Sequence, residues 1–273
     1  HKLSRRASPY LPRFPFTPQP QHLPILFPKT RWLYKEKYRV SLAKQGSKEW
    51  LDDRKGQIPV HFFSGIDLLK TDTVNARVTG SKYGAAAGQS PFTTPEDLAM
   101  EIAGLKKSVF SEEAKKRMDH GTNEEPNARR WYEKKYGVVV EEIGLVVPTW
   151  DFHLGASVDG VVKDQDGIIE IKCPAKMYQP LRNHMTLRAT GWKPKMYYHA
   201  HIWPSHYDQM QGGMAILDKK WCDYIVYSTS EKQVYCERVL FNQNYWDGYL
   251  YPALQAFLKT NLFPILEDLL QKY

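Results

Sequence analysis

The chain has 273 residues, 42% hydrophobic and 25% charged, a balance that suits one large folded domain with a substantial core. No apolar run approaches the roughly 18 residues a membrane span needs. Cys173, Cys222 and Cys236, an odd number without CxxC spacing, suggest neither a disulfide framework nor a zinc site and fit a reducing, intracellular setting.

The net charge is +8, but residues 1–31 hold Lys2, Arg5, Arg6, Arg13, Lys29 and Arg31 with no acid, so six of those charges lie there. The body is close to neutral, and overall charge alone does not argue for nucleic acid. Seven prolines between Pro9 and Pro28 block helix formation, so residues 1–35 are expected to form an extended or disordered arm. A solvated tail and a DNA-contacting or targeting arm are both open readings of it. Residues 36–273 are expected to form a single domain.

In that domain a helix is expected from Ser47 to Lys55, capped by Ser47. Thr94-Pro95-Glu96-Asp97 should start another that runs to about Leu105. Ser111 starts a third, and Thr122-Asn-Glu-Glu125 is expected to open a separate helix that ends at Gly137. The periodicity then changes to short β-rich runs, Val138–Val147, Leu154–Lys163 and Ile168–Cys173, the last two joined by a turn at Asp164–Gly167. Ser205–Leu217 reads as a helix, Trp221–Ser228 and Gln233–Phe241 as a hairpin, and Asn242–Lys259 as a closing amphipathic helix.

The chemistry is concentrated in Ser157-Val-Asp159-Gly160 and Ile168-Ile-Glu170-Ile-Lys172. A turn centred on Gln165-Asp166 sets Asp159 opposite Lys172, and one centred a residue later sets it opposite Pro174. In both registers Asp159, Glu170 and Lys172 share a sheet face. Two carboxylates and an ammonium there suit phosphodiester hydrolysis: the carboxylates hold Mg²⁺ against the phosphate, and the cation orients the attacking water. A cross-strand ion cluster on a solvated sheet is the alternative, but the isoleucines around Glu170 indicate a buried strand in which such charges need partners.

These residues resemble the PD-(D/E)xK nucleases and, more narrowly, the phage lambda exonuclease and YqaJ-type viral recombinase family. The matching blocks are Glu49–Arg54, Arg77-Val-Thr79-Gly-Ser81, Gly121–Ala128, the Asp159/Glu170/Lys172 hairpin and Tyr207–Gln211. The resemblance implies an α/β (α+β) fold with a restriction-endonuclease-like central mixed β-sheet flanked by helices. Asp159, Glu170, the carbonyl of Ile171 and Glu125 would hold Mg²⁺, with Mn²⁺ substituting, and Lys172 would complete the catalytic set. Glu125 has a second local reading, as the capping-box partner of Thr122.

Arg54, Ser81, Ser157 and Gln209, with Arg77, would bind a 5′ phosphate and neighbouring DNA backbone. The resemblance further implies an exonuclease on linear duplex DNA, 5′-to-3′, with an annealing or recombination protein as partner and a trimer as assembly. Endonuclease, single-strand nuclease and non-catalytic DNA-binding protein are the competing readings. This chain departs from the pattern by an insertion at about 56–76, which includes Val60–Phe63 and Ile66–Leu69, and its cysteine count excludes a four-cysteine iron–sulfur cluster. The Trp-, Tyr-, His- and Lys-rich stretch Lys193–His206 reads as core aromatics or as a base-stacking surface.

Overall fold

The computed structural model describes residues 31–59, 73–174, 199 and 202–270. Most of the proline-rich arm, the middle of the insertion and most of Lys193–His206 lie outside these residues. The first strand, β1 (Trp32–Tyr34), starts inside the segment expected to be arm: Trp32 is buried at 4% exposure, and the strand pairs antiparallel with β2 (Tyr38–Ser41). The folded part therefore begins earlier than the prolines alone indicate.

Helix α1 (Lys48–Lys55) starts where the Ser47 hydroxyl accepts the Trp50 N–H and stops at Gly56, whose φ of 59° is the left-handed conformation glycine tolerates. Strands β3 (Gln57–Pro59) and β4 (Thr73–Asn75) pair antiparallel, so the insertion leaves and re-enters the fold at one place. Next come β5 (Val78–Thr79), α2 (Gly80–Ala86) and α3 (Pro95–Ile102), the last capped by Thr94 as expected.

Helix α4 corrects one expectation. It is a single 25-residue helix, Glu112–Tyr136, capped by Ser111 and ended by Gly137. Thr122 caps nothing: its hydroxyl donates to the Met118 carbonyl inside the helix at 3.1 Å. The capping-box reading of Glu125 fails with it, and Pro126 simply leaves one i→i−4 bond unmade.

The expected run Val138–Val147 divides into β6 (Val140–Glu141) and β7 (Val146–Pro148), and Leu154–Lys163 divides into β8 (Leu154–Gly155) and β9 (Gly160–Val162). The halves of each run join different sheets. Strand β7 adds to β2, β8 pairs parallel with β5, and β6 and β9 enter the main sheet. That sheet is mixed, in the order β12-β11-β10-β9-β6, with β10 (Gly167–Lys172) parallel to β11 (Trp221–Ser228) and the other pairs antiparallel. Strand β12 is Gln233–Leu240, and α5 (Pro204–Leu217) leads into β11.

Alternation along β10 gives the sheet two buried faces. Ile168 packs with Cys222, Tyr224 and α5 residues Met210 and Met214 in the larger core, whereas Ile169 and Ile171 pack with Ile225 and α4 residues Ala128 and Tyr132 in the smaller one. The chain closes with α6 (Gln243–Tyr245), α7 (Tyr251–Phe257) and α8 (Phe263–Leu270), joined by wide π turns at Trp246–Leu250 and Leu258–Leu262. Pro252 and Pro264 each follow a π turn by two residues; a proline donates no N–H and crowds the carbonyl four residues back, which favours the wider turn. No described helix is long and apolar enough to cross a membrane.

Candidate active site

Strand β10 pairs with β9 as Ile168↔Val161 and Ile169↔Gly160, so the turn centres on Asp164-Gln165 and Asp164 takes a φ of 58°. Extended by one pair, this register sets Asp159 across from Glu170, rather than from Lys172 or Pro174 as expected. The shift is two residues along the partner strand, so the shared face survives. Asp159 stands just beyond β9, where its Oδ2 accepts the Ile171 N–H at 2.6 Å. In an extended strand the N–H and C=O of a residue point to the same edge, so the Ile171 carbonyl also faces Asp159. Glu170 and Lys172 project to the α5 side, Lys172 Nζ donating to Glu170 Oε1 and, at 3.4 Å, to Gln209 Oε1.

Glu125 reaches the same centre from α4, where Arg129 Nη2 donates to its Oε1 at 3.2 Å. Burial pushes Glu125 up to about 7, with Asp159 adding to the rise and Arg129 and Lys172 opposing it. Glu170, 2% exposed, is pushed by burial to about 8, with Asp159 again adding and Lys172 opposing. Asp159 is raised as well, by burial first, against Lys172, the Ile171 N–H and Arg129. Burial works against the Lys172 ammonium, but Glu170 and Asp159 outweigh it and hold its pKa above the ordinary lysine value.

Of the phosphate-binding candidates, Arg54 and Ser81 bond each other and Gln209 bonds Lys172 of this centre. Arg54 Nη2 donates to Thr79 Oγ1 at 2.8 Å and to Ser81 Oγ at 3.1 Å, and its guanidinium lies 4.6 Å from the Trp50 ring centroid. Burial lowers the Arg54 pKa to about 10, and the Tyr83 phenol partly offsets this. At the start of α2, Gly80 leaves only enough room that a Cβ would meet Gln209 Cγ at 3.4 Å. Arg54 thus bonds Ser81, Gly80 beside Ser81 lies close to Gln209, and Gln209 reaches Glu170 through Lys172. The Ser157 hydroxyl is buried with no hydrogen-bond partner among the described residues.

Arg77 departs from expectation. It is 4% exposed, and its guanidinium is turned inward, Nε to the Phe152 carbonyl at 3.0 Å and Nη1 to the Asp53 carbonyl. It ties α1 to the Phe152 loop, so it is not carried forward as a DNA contact. Thr79 and Arg129 went unread in the sequence although both were within reach. Thr79 lies inside a quoted block, and Arg129 stands four residues after Glu125, the spacing at which helix side chains meet.

Among the described residues no three His, Cys, Asp or Glu side chains are gathered tightly enough to hold a metal ion as they stand. Lys172 and Arg129 instead lie against two of the carboxylates. The donor chemistry nevertheless fits a hard divalent cation: carboxylate oxygens and a carbonyl, with burial raising all three acids and the Asp159 charge adding to the rise at Glu125 and Glu170. Glu170 and Glu125 in particular gain from any added positive charge.

No curated protein matches the chain significantly. Among solved structures, an alkaline exonuclease from Laribacter hongkongensis is 26% identical to this chain, with a TM-score of 0.57 over 83% of this chain and 97% of that one. The structure of LHK-Exo in complex with dAMP is 27% identical, with a TM-score of 0.53 over 72% of this chain and 93% of that one. The model of the YqaJ-like viral recombinase domain matches residues 49–219, a span that takes in Arg54, the hairpin and Gln209, and the chain belongs to that family.

Proposed function

We propose that the protein is a metal-dependent DNA exonuclease that hydrolyses linear duplex DNA 5′-to-3′ and leaves 3′ single-stranded overhangs for recombination or repair. The observation that supports it most is the convergence of Asp159, Glu170 and Lys172 on one sheet face, with Glu125 arriving from α4. The alkaline exonuclease similarity and family membership point the same way. A dAMP complex of that exonuclease agrees with a deoxynucleotide substrate.

Asp159, Glu170, the Ile171 carbonyl and Glu125 would hold Mg²⁺, with Mn²⁺ able to replace it. A divalent cation there supplies charge neutralisation at the phosphate and acidifies a water. Lys172 Nζ, held between Glu170 and Gln209, orients the attacking water and stabilises negative charge that builds on the phosphate oxygens as a P–O bond breaks. Arg54 and Ser81 present a guanidinium and a hydroxyl to a terminal 5′ phosphate, a dianion that a rigid arginine fork suits well. Ser157 contributes a buried hydroxyl, and Gln209 bonds Lys172. An annealing or recombination protein would take up the overhang, and self-association into a trimer would keep the enzyme on its strand.

Linear duplex labelled at one end and then the other, digested with Mg²⁺, tests this reading. The 5′ label is expected to leave first while the opposite strand persists. Closed circles should survive, and a 5′-hydroxyl end should be degraded more slowly than a 5′-phosphorylated one. Rapid cutting of circles would overturn the exonuclease reading, and equal rates on the two end types would remove the roles given to Arg54, Ser81, Ser157 and Gln209.

A further inference from the structure

Arg129 lies one turn beyond Glu125 on α4 and is 8% exposed. Its guanidinium meets three groups from three parts of the chain. Nη2 donates to Glu125 Oε1 at 3.2 Å, Nε donates to the main-chain carbonyl of Asp159 at 3.2 Å, and Nη1 pairs with Glu142 just past β6. A planar fork with fixed N–H directions satisfies three such acceptors in one relative arrangement. An ordinary ion pair on a helix surface would involve Glu125 alone; the bond to the Asp159 carbonyl reaches the far side of the site.

We infer that Arg129 is the positioning residue of this centre, setting the Glu125 carboxylate and the Asp159 backbone in one frame so that both present oxygens to a divalent cation. It acts through these two residues and touches neither the ion nor the DNA. The inference rests on the metal-dependent reading above. Partners that orient metal ligands in this way are worth about 10- to 100-fold in metal affinity or activity.

Arg129→Lys keeps the charge and loses the fork. In the full chain, binding of Mn²⁺ alone, followed by electron paramagnetic resonance of the free ion, should weaken by about 10- to 100-fold. The half-saturating Mg²⁺ for nuclease activity should rise by a similar factor, with KM for DNA ends unchanged. Combined with Glu125→Gln, the substitution should cost less than the product of the two separate losses, because both act on one carboxylate. Mn²⁺ binding equal to the wild type, or losses that multiply in full, overturns the inference. Should Arg129→Lys not fold, Arg129→Gln carries the same two measurements. A wild type without Mg²⁺-dependent nuclease activity would sink the functional reading instead, while the Mn²⁺ titration would still report on Arg129.

Discussion

Glu170 and Asp208 are both buried carboxyls, but they keep different company. Glu170 has the Lys172 ammonium against it. Among the described residues Asp208, with no exposed surface, accepts only the neutral Tyr245 hydroxyl at 2.5 Å, and its Oδ2 has no partner. Burial pushes Asp208 up to about 7, and the Tyr245 bond only partly opposes this. The folded chain then holds a proton that the unfolded chain has released, so stability falls as pH rises from about 4 and the loss is complete above about 7. That window corresponds to on the order of a few kcal/mol. Asp208→Asn keeps the shape and the acceptor for Tyr245 but removes the titration. The fall in melting temperature from pH 5 to pH 8 should be smaller in the variant than in the wild type, with Glu125 and Glu170 supplying what remains; an equal fall in the two proteins would refute the assignment.

The site depends on how closely α2 and α5 approach, because α2 carries Ser81 and α5 carries Gln209. Two glycines permit that approach. A Cβ on Gly84 would lie 2.4 Å from Ser205 Cβ and 2.7 Å from its Cα, and one on Gly212 would lie 2.3 Å from the Tyr83 ring. Ser205 presents backbone at Gly84, which cannot swing aside, so Gly84→Ala must separate the helices. We expect a loss of about 1–3 kcal/mol in denaturant unfolding, accompanied by lower nuclease activity as the start of α2 moves from Gln209. Unchanged stability would show that the two helices tolerate a wider spacing. Elements whose signals are local were legible in the sequence: Ser47 and Thr94 cap the expected helices, and β11 runs from Trp221 to Ser228 as read. Thr122 misled because its capping pattern is also compatible with a helix interior when Ser111 has already supplied the start. The run Val138–Val147 could not be divided in advance, since what interrupts it is distant: a Cβ on Gly144 would lie 2.1 Å from the Ser41 carbonyl oxygen.

At the scale of the molecule the hairpin was readable because its partners are close in sequence and its face is fixed by parity. The residues beside it were not, because Ser81 follows β5, which pairs parallel with β8, Arg54 joins it from α1, and Gln209 arrives through α5 across the sheet. Only the resemblance gathered those residues beforehand, and it included Arg77, whose burial no short motif reveals. The assembled fold therefore carries a concentrated cost: three acidic side chains from α4, β10 and the loop before β9, all raised by burial, with Asp159 further raising Glu125 and Glu170, set against Lys172 and Arg129. Bringing them together opposes folding, and a divalent cation that binds only the folded chain should return that stability. At a free Mn²⁺ concentration a hundredfold above Kd the gain is about 2.7 kcal/mol, which for a domain of this size raises the melting temperature by ~2–4 °C for each kcal/mol. Chelator should reverse the rise, and Asp159→Asn, which removes a charged ligand while keeping the acceptor for the Ile171 N–H, should abolish most of it. An Asp159→Asn chain that gains as much from Mn²⁺ as the wild type would place the cation elsewhere, and the hairpin would revert to a buried ion cluster.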